Sequence, residues 1–243
     1  MVLADAARSR PLVFLFGLAV VSLLGLLLLP PVPQLQSYHL FADERTLFGV
    51  PNFWNVVSNL PFILIGAIGV LRVRGSTSAT IIFLSIFMTG FGSSYYHWYP
   101  DDAALFWDRL PMAIGFMAIL AYLIEERIDA QVGAKLLWPL IALGVASLLL
   151  WRSTDDLRLY VWVQFFPCLV LPLVFWMFPS RHTGTLLWLA AAGLYALAKL
   201  LEYSDAAIYS GARVLSGHTF KHLVAAGACY AILRAFQTRR PIT

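Results

Sequence analysis

The chain has 243 residues, 60% of them hydrophobic and only 12% charged, with a mean hydropathy of +0.76 and a formal net charge of +4. That composition excludes an ordinary water-soluble domain and describes an integral membrane protein. The positive balance does not point to a nucleic-acid partner, because Lys and Arg are dispersed near the ends of apolar segments instead of forming a stripe with interleaved aromatics.

Apolar runs of about 20 residues are what a helix needs to cross a bilayer. The sequence predicts eight, over 11–29, 53–70, 79–96, 103–124, 136–151, 159–178, 186–201 and 217–236. The runs are continuous, without the alternation of a transmembrane barrel strand, so each backbone is satisfied within its own helix. The expected fold is an all-α polytopic membrane helix bundle, eight helices in total.

The first run follows Arg8 and Arg10 and so competes with a cleaved signal peptide. It is longer than a signal peptide's apolar region, and no small-residue cleavage site precedes Pro30, Pro31 and Pro33, so it is read as a retained helix. With the amino terminus placed in the cytoplasm, one side collects Arg8, Arg10, Arg72, Arg74, Arg127, Lys135, Arg181, Arg234, Arg239 and Arg240. The other collects Arg45, Arg109, Arg152, Arg158 and Arg213. Ten against five is a positive-inside bias that puts both termini in the cytoplasm, as an even helix count requires.

The informative residues are the polar ones inside or beside the spans. On this topology the third span runs outward and brings Gly92, Ser93, Ser94 and His97 to its outer end. The fourth runs inward and puts Asp108 one or two turns below the same surface. The eighth also runs inward, with His218 and His222 in its first turns. His218 and His222 are four apart, on one helix face with β-carbons about 5–6 Å from each other, suited to two nitrogens on one ion. His97 is the third histidine expected at matching depth; His39 falls in the outer loop and His182 in an inner one.

Three neutral nitrogens without a thiolate suit Zn²⁺, and a three-histidine set leaves a fourth position open, as catalytic zinc sites do. Zinc lowers the pKa of a bound water to about 7, which suits hydrolysis at neutral pH. Ser93 shares the helix face of His97; a hydroxyl there serves either an oxyanion or the packing of its own helix, and the residues alone leave both readings open. Asp108 is harder to explain structurally, since a carboxylate near a helix centre costs about 2.5–3.5 kcal/mol on insertion scales.

Taken in order, Asn52-Phe-Trp-Asn-Val-Val-Ser-Asn-Leu-Pro-Phe62, Gly92-Ser-Ser-Tyr-Tyr-His97, Trp107-Asp-Arg-Leu-Pro-Met112 and His218-Thr-Phe-Lys-His222 resemble the alkaline ceramidase family, part of a superfamily of seven-helix membrane hydrolases that includes the adiponectin-type receptors. The resemblance covers the second to eighth spans. It implies a seven-helix ceramidase-like core over 51–243, with 1–50 adding an amino-terminal transmembrane helix and an extracytoplasmic loop. It further implies zinc on His97, His218 and His222, Ser93 and Asp108 as the catalytic pair, and a membrane lipid substrate, with cleavage of the amide of ceramide or a related N-acyl lipid to a sphingoid base and a fatty acid. The zinc site is expected toward the extracytoplasmic leaflet. Animal members resemble one another in a calcium site with a Glu where this chain has Asn52; Asp43 and Glu44 do not reproduce that spacing, and no structural Ca²⁺ is expected.

Other polar residues have plainer readings. Lys199 and Glu202, three apart, suit an intrahelical ion pair; Lys221 is expected to point away from the histidine face and snorkel outward. Asn55, Ser58 and Asn59 bond between helices or line a cavity. Trp98, Tyr99, Trp107, Trp138, Trp151 and Tyr203 form an interfacial belt. Cys168 and Cys229 are small core residues with no disulfide framework. Three functions compete with an amidase: a lipid esterase or phospholipase using the same zinc, a receptor-like zinc-containing bundle, and a transporter. The short polar ends imply no protein partner and disfavour the receptor. The gathering of polar residues at one leaflet, instead of the midplane, disfavours the transporter.

Overall fold

The computed structural model describes the backbone of residues 2–242 and the side chains of residues 13–242 except residue 212. It is helical, with ten α-helices among the described residues: α1 (Val2–Leu27), α2 (Phe53–Val57), α3 (Leu60–Arg72), α4 (Thr77–Trp98), α5 (Asp102–Arg127), α6 (Ala130–Thr154), α7 (Arg158–Met177), α8 (Thr185–Tyr203), α9 (Asp205–Ala212) and α10 (Gly217–Gln237). Six stretches are long and apolar enough to cross a membrane, namely Phe53–Arg72, which joins α2 to α3, and α4 to α8. In α1 the described apolar stretch is Val13–Leu27, within the first run expected over 11–29. Helix α10 is 21 residues long, but His218, Lys221, His222 and Arg234 dilute its apolarity.

Helix starts follow from their caps. Ser76 accepts from Ala79 N at 3.3 Å, Asp101 from Ala104 N at 2.7 Å, Asp129 from Gln131 N and Val132 N at 2.9 Å, and Ser216 from Thr219 N at 3.2 Å. Each satisfies amides that the first turn leaves without intrahelical partners.

The sequence predicts one uninterrupted second helix, and the structure breaks it at Ser58 and Asn59. Pro61 is the reason: it has no N–H for the Val57 carbonyl, and its ring crowds that carbonyl. Side chains bond the carbonyls beside the break. Asn55 O accepts from Asn59 Nδ2 at 2.8 Å and Ser58 Oγ at 3.2 Å, and Val56 O accepts from Ser94 Oγ on α4 at 3.3 Å.

Helix α5 is the central post, packed against α4, α6 and α7, while α10 packs against α3 and α8. One core cluster joins α1, α5, α6 and α7 through Leu15, Met117, Leu148 and Val163; a second joins α3, α4, α5, α8 and α10 through Ile82, Phe83, Leu123, Trp188 and Leu233. Where α4 meets α5, a Cβ on Gly92 would lie 2.3 Å from the Trp107 carbonyl oxygen and 3.3 Å from Asp108 Cα. Where α10 meets the α8–α9 joint, a Cβ on Gly217 would lie 2.3 Å from Leu201 O. Both crossings therefore require glycine, and both set the height of a polar residue: Asp108 in one case, His218 in the other.

Segment 30–52, expected as a simple loop, is folded down over the ends of the helices. Gln34 N donates to Asp155 at 3.0 Å, Val32 N to Asp156 at 3.3 Å, Ala42 N to Asp205 at 3.1 Å, and Leu157 N to Val32 O at 2.8 Å. Arg158 grips Asp156 through Nε and Nη2 and donates through Nη1 to the carbonyls of Leu27, the last residue of α1, and Leu29 just beyond it. Asp43 is gripped in the same way by Arg45, whose Nη2 also reaches Val214 O.

Hydrogen bonds from Arg158, assisted by backbone amides, hold the Asp156 carboxyl down at about 2. Because the folded value lies below the ordinary value of about 3.9, the stability it lends is complete above that value and is lost only as pH falls through about 2. Asp156→Asn should release the clamp at ordinary pH, read as faster hydrogen exchange over residues 28–36 with the α5–α6 core unchanged. Identical exchange in the variant would mean that the clamp does not hold this segment.

Candidate metal centre

Capping by Ser216 starts α10 at Gly217, and Asp205 reinforces that start by accepting from His218 N at 2.7 Å. His218 and His222 then project from one face toward α4, which ends by presenting His97. Asn52, in the left-handed conformation that Asn tolerates, donates from Nδ2 to the His97 carbonyl at 2.9 Å and fixes the end of that helix. The three imidazoles are 1%, 4% and 5% exposed for His97, His218 and His222. Burial this deep makes chance solvent-facing orientations impossible, so what the rings face is informative.

They face one another. His97 Nε2 lies 3.2 Å from His222 Nε2 and 3.3 Å from His218 Nε2, and the three potential ligand atoms all lie within 4.8 Å of each other. Nitrogens bound to zinc at about 2.0–2.1 Å with tetrahedral angles lie about 3.3–3.4 Å apart, so two of the three edges already have the spacing the ion requires. Among the described residues this is the one histidine, cysteine and carboxylate group of metal-binding geometry.

The surroundings orient the His222 ring. His222 Nδ1 is 2.8 Å from Ser58 Oγ, and the Ser58 hydroxyl donates to Asn55 O at 3.2 Å. With that proton on the carbonyl, Ser58 accepts from His222 Nδ1–H, and Nε2 is left as the lone-pair nitrogen turned to the centre. Thr219 donates to Asn55 Oδ1 at 2.8 Å, tying α10 to α2 beside the same ring. Phe41 covers the other side, its ring centroid 4.8 Å from those of both His97 and His218.

His222 also borders a cavity of about 310 Å³. At its polar end are Tyr38, Ser93, Asp108, Glu202 and Lys221; its depth is walled by Phe62, Ile119, Leu171, Trp188 and Ile232. From Asp108 to Ile119 along α5 is about 16 Å at 1.5 Å per residue, roughly half the thickness of a hydrocarbon core. Ser93 and Asp108 thus border one cavity with His222, on two helices that touch at Gly92. Asn59 lines it too, while Asn55 belongs to the α2–α10 seam.

The expected ion pair of Lys199 and Glu202 is present at 2.5 Å. Lys221, expected to snorkel outward, instead turns inward and bonds the other Glu202 oxygen at 2.5 Å, where Tyr38 also donates at 2.9 Å. The signal was in the spacing: Lys221 is three residues after His218 and therefore shares its side of the helix. Trp151 is a second correction. It is buried at 3% exposure, whereas Trp98, Tyr99, Trp107, Trp138 and Tyr203 are exposed as a belt requires. Arg109, counted as an outer-surface charge, is buried as well, and Trp151 packs on it.

The remaining histidines keep clear of the centre. His39 bridges Tyr96 Oη at 3.0 Å and Asp102 at 3.1 Å, and His182 pairs with Arg239 beyond the far end of α10. Compared with known proteins, the chain matches no family model and no curated relative.

Proposed function

We propose that the chain is a zinc-dependent membrane hydrolase that cleaves the amide bond of ceramide or a related N-acyl lipid. The observation that carries the proposal is the convergence of three buried imidazole nitrogens at zinc-compatible spacing, one of them on His222, which borders a cavity with a polar end and an apolar depth. An acyl chain fits the depth, and its carbonyl then lies among groups able to act on it. The motif resemblance to alkaline ceramidases supports an amide as the bond cleaved. In this reading the seven-helix core carries the chemistry, α1 is an addition to it, both termini are cytoplasmic, and the site faces the extracytoplasmic leaflet.

His97, His218 and His222 would hold the metal, with His222 oriented by Ser58. When bound there, zinc supplies Lewis acidity and a water of lowered pKa. Ser93 donates a hydrogen bond to the carbonyl oxygen as negative charge develops on it. Asp108 accepts the proton of the attacking water and returns it to the departing amine. Lys221, in the same lining, is committed to Glu202.

His218→Ala should lose both bound zinc, measured by elemental analysis, and release of sphingoid base, measured by mass spectrometry. Asp108→Asn should keep zinc and lose turnover; full activity in that variant would falsify its role. Ser93→Ala should slow hydrolysis by about 10²–10³, the usual loss for one oxyanion donor. Release of a lysolipid from a glycerolipid, with N-acyl lipids untouched, would move the same centre to ester chemistry.

A further inference from the structure

Arg109 has no use in the reaction just described, and its environment is unusual. It is 8% exposed, yet its guanidinium carbon is surrounded by the rings of Tyr38, Trp151 and Tyr160 at 5.5, 4.7 and 5.0 Å. Aromatic faces attract the positive charge but accept N–H hydrogen bonds poorly. Nη1 is accordingly buried with no hydrogen-bond partner. Among the described residues no carboxylate lies within ion-pair distance of it. A buried, unpaired guanidinium is costly unless something absent from the chain itself completes it.

Arg109 lines the same cavity as Asp108 and His222, at the polar end. The charged residues of that lining are Arg109, Lys199 and Lys221 against Asp108 and Glu202, three cations to two carboxylates. Both lysines are committed to Glu202. Arg109 is the one cation of the three without a carboxylate within ion-pair distance, and its charge sits on a rigid fork that suits an oxyanion better than an ammonium would.

We propose that Arg109 binds an oxyanion on the head group of the lipid substrate, so that the substrate class is an N-acyl lipid bearing a phosphate or carboxylate at its polar end. This rests on the amidase reading and deepens it. The acyl chain occupies the apolar depth, the amide lies by the histidines, and the anionic head group meets the fork that Tyr38, Trp151 and Tyr160 hold in place. The aromatic cage acts as a support: it fixes the guanidinium without using up its directional donors.

The test is equilibrium binding by calorimetry in detergent micelles, using the full chain and non-cleavable sulfonamide analogues of one chain length. One analogue carries a phosphate head and one a hydroxyl head; a free fatty acid serves as third ligand. The wild type should prefer the phosphate-headed analogue. Arg109→Met, which keeps the side-chain length within the cage, should weaken that ligand by about ten- to hundredfold and leave the hydroxyl-headed one unchanged, the range expected for a charge-assisted hydrogen bond. Arg109→Lys should recover part of the preference, and it carries the test if the Met variant does not fold. Equal wild-type affinities, or equal weakening of both analogues, would overturn the proposal in favour of a packing role. Equal weakening of the fatty acid and the phosphate-headed ligand would move the anion to the acyl end and overturn the head-group assignment. Because the analogues are not cleaved, a protein that shows the preference but hydrolyses no N-acyl lipid would refute the amidase reading alone.

Discussion

The arrangement at the histidine end of this bundle depends on the cost of taking ionisable side chains out of water. A lone buried charge costs several kcal/mol even after relaxation, so each must be answered by a partner. Glu202 is answered three times, by Lys199, Lys221 and Tyr38, and this draws α8, α10 and the segment before α2 onto one carboxylate. Asp205 does the same for the start of α10 and the backbone at Ala42. These polar ties act together with the close helix crossings to fix the height at which each helix presents its residues. Asp108, Arg109 and the three imidazoles remain outside that scheme. They are buried as deeply as the rest but lack protein partners of opposite charge.

Much of this was legible in the sequence. Every long apolar run became helical, the second of them in two pieces, because continuous hydrophobicity of that length leaves the backbone few other ways to satisfy itself. The histidine centre was legible from the i, i+4 spacing of His218 and His222 together with the depth of His97, and the structure brings these three together. Ser93 and Asp108 were legible as polar exceptions at the same level, and they border the same cavity. What was not legible depended on tertiary packing. Lys221 could be placed by helical spacing, but its choice of Glu202 over water depends on where α8 lies. Trp151 looks like a belt residue by position alone, and only the path of α5 turns it inward over Arg109. Tyr38 belongs to a loop without periodicity, and nothing local shows that this loop closes over the bundle.

Two glycines connect the fold to the chemistry. At Gly92 the missing side chain lets α4 approach the backbone at Trp107 and Asp108, so Ser93 and Asp108 come to neighbouring positions on different helices. At Gly217 the same device seats the first turn of α10 under the α8–α9 joint and sets the level of His218. The site is therefore assembled by two close backbone crossings, each on a rigid helix, and its geometry inherits their precision. A cavity that is polar at one end and apolar for about half a bilayer's thickness below gives the arrangement a direction, with a chemistry matched to an amphiphile in one orientation only.

The seam between α2 and α10 also has a consequence for the imidazole of His222. The Ser58 hydroxyl donates to the Asn55 carbonyl three residues back, so its proton has a set direction and its oxygen is left to accept from His222 Nδ1–H. A hydroxyl on one helix thereby decides which nitrogen of a histidine on another carries hydrogen. The seam works as a tautomer lock, holding a lone pair ready on the side where it is needed.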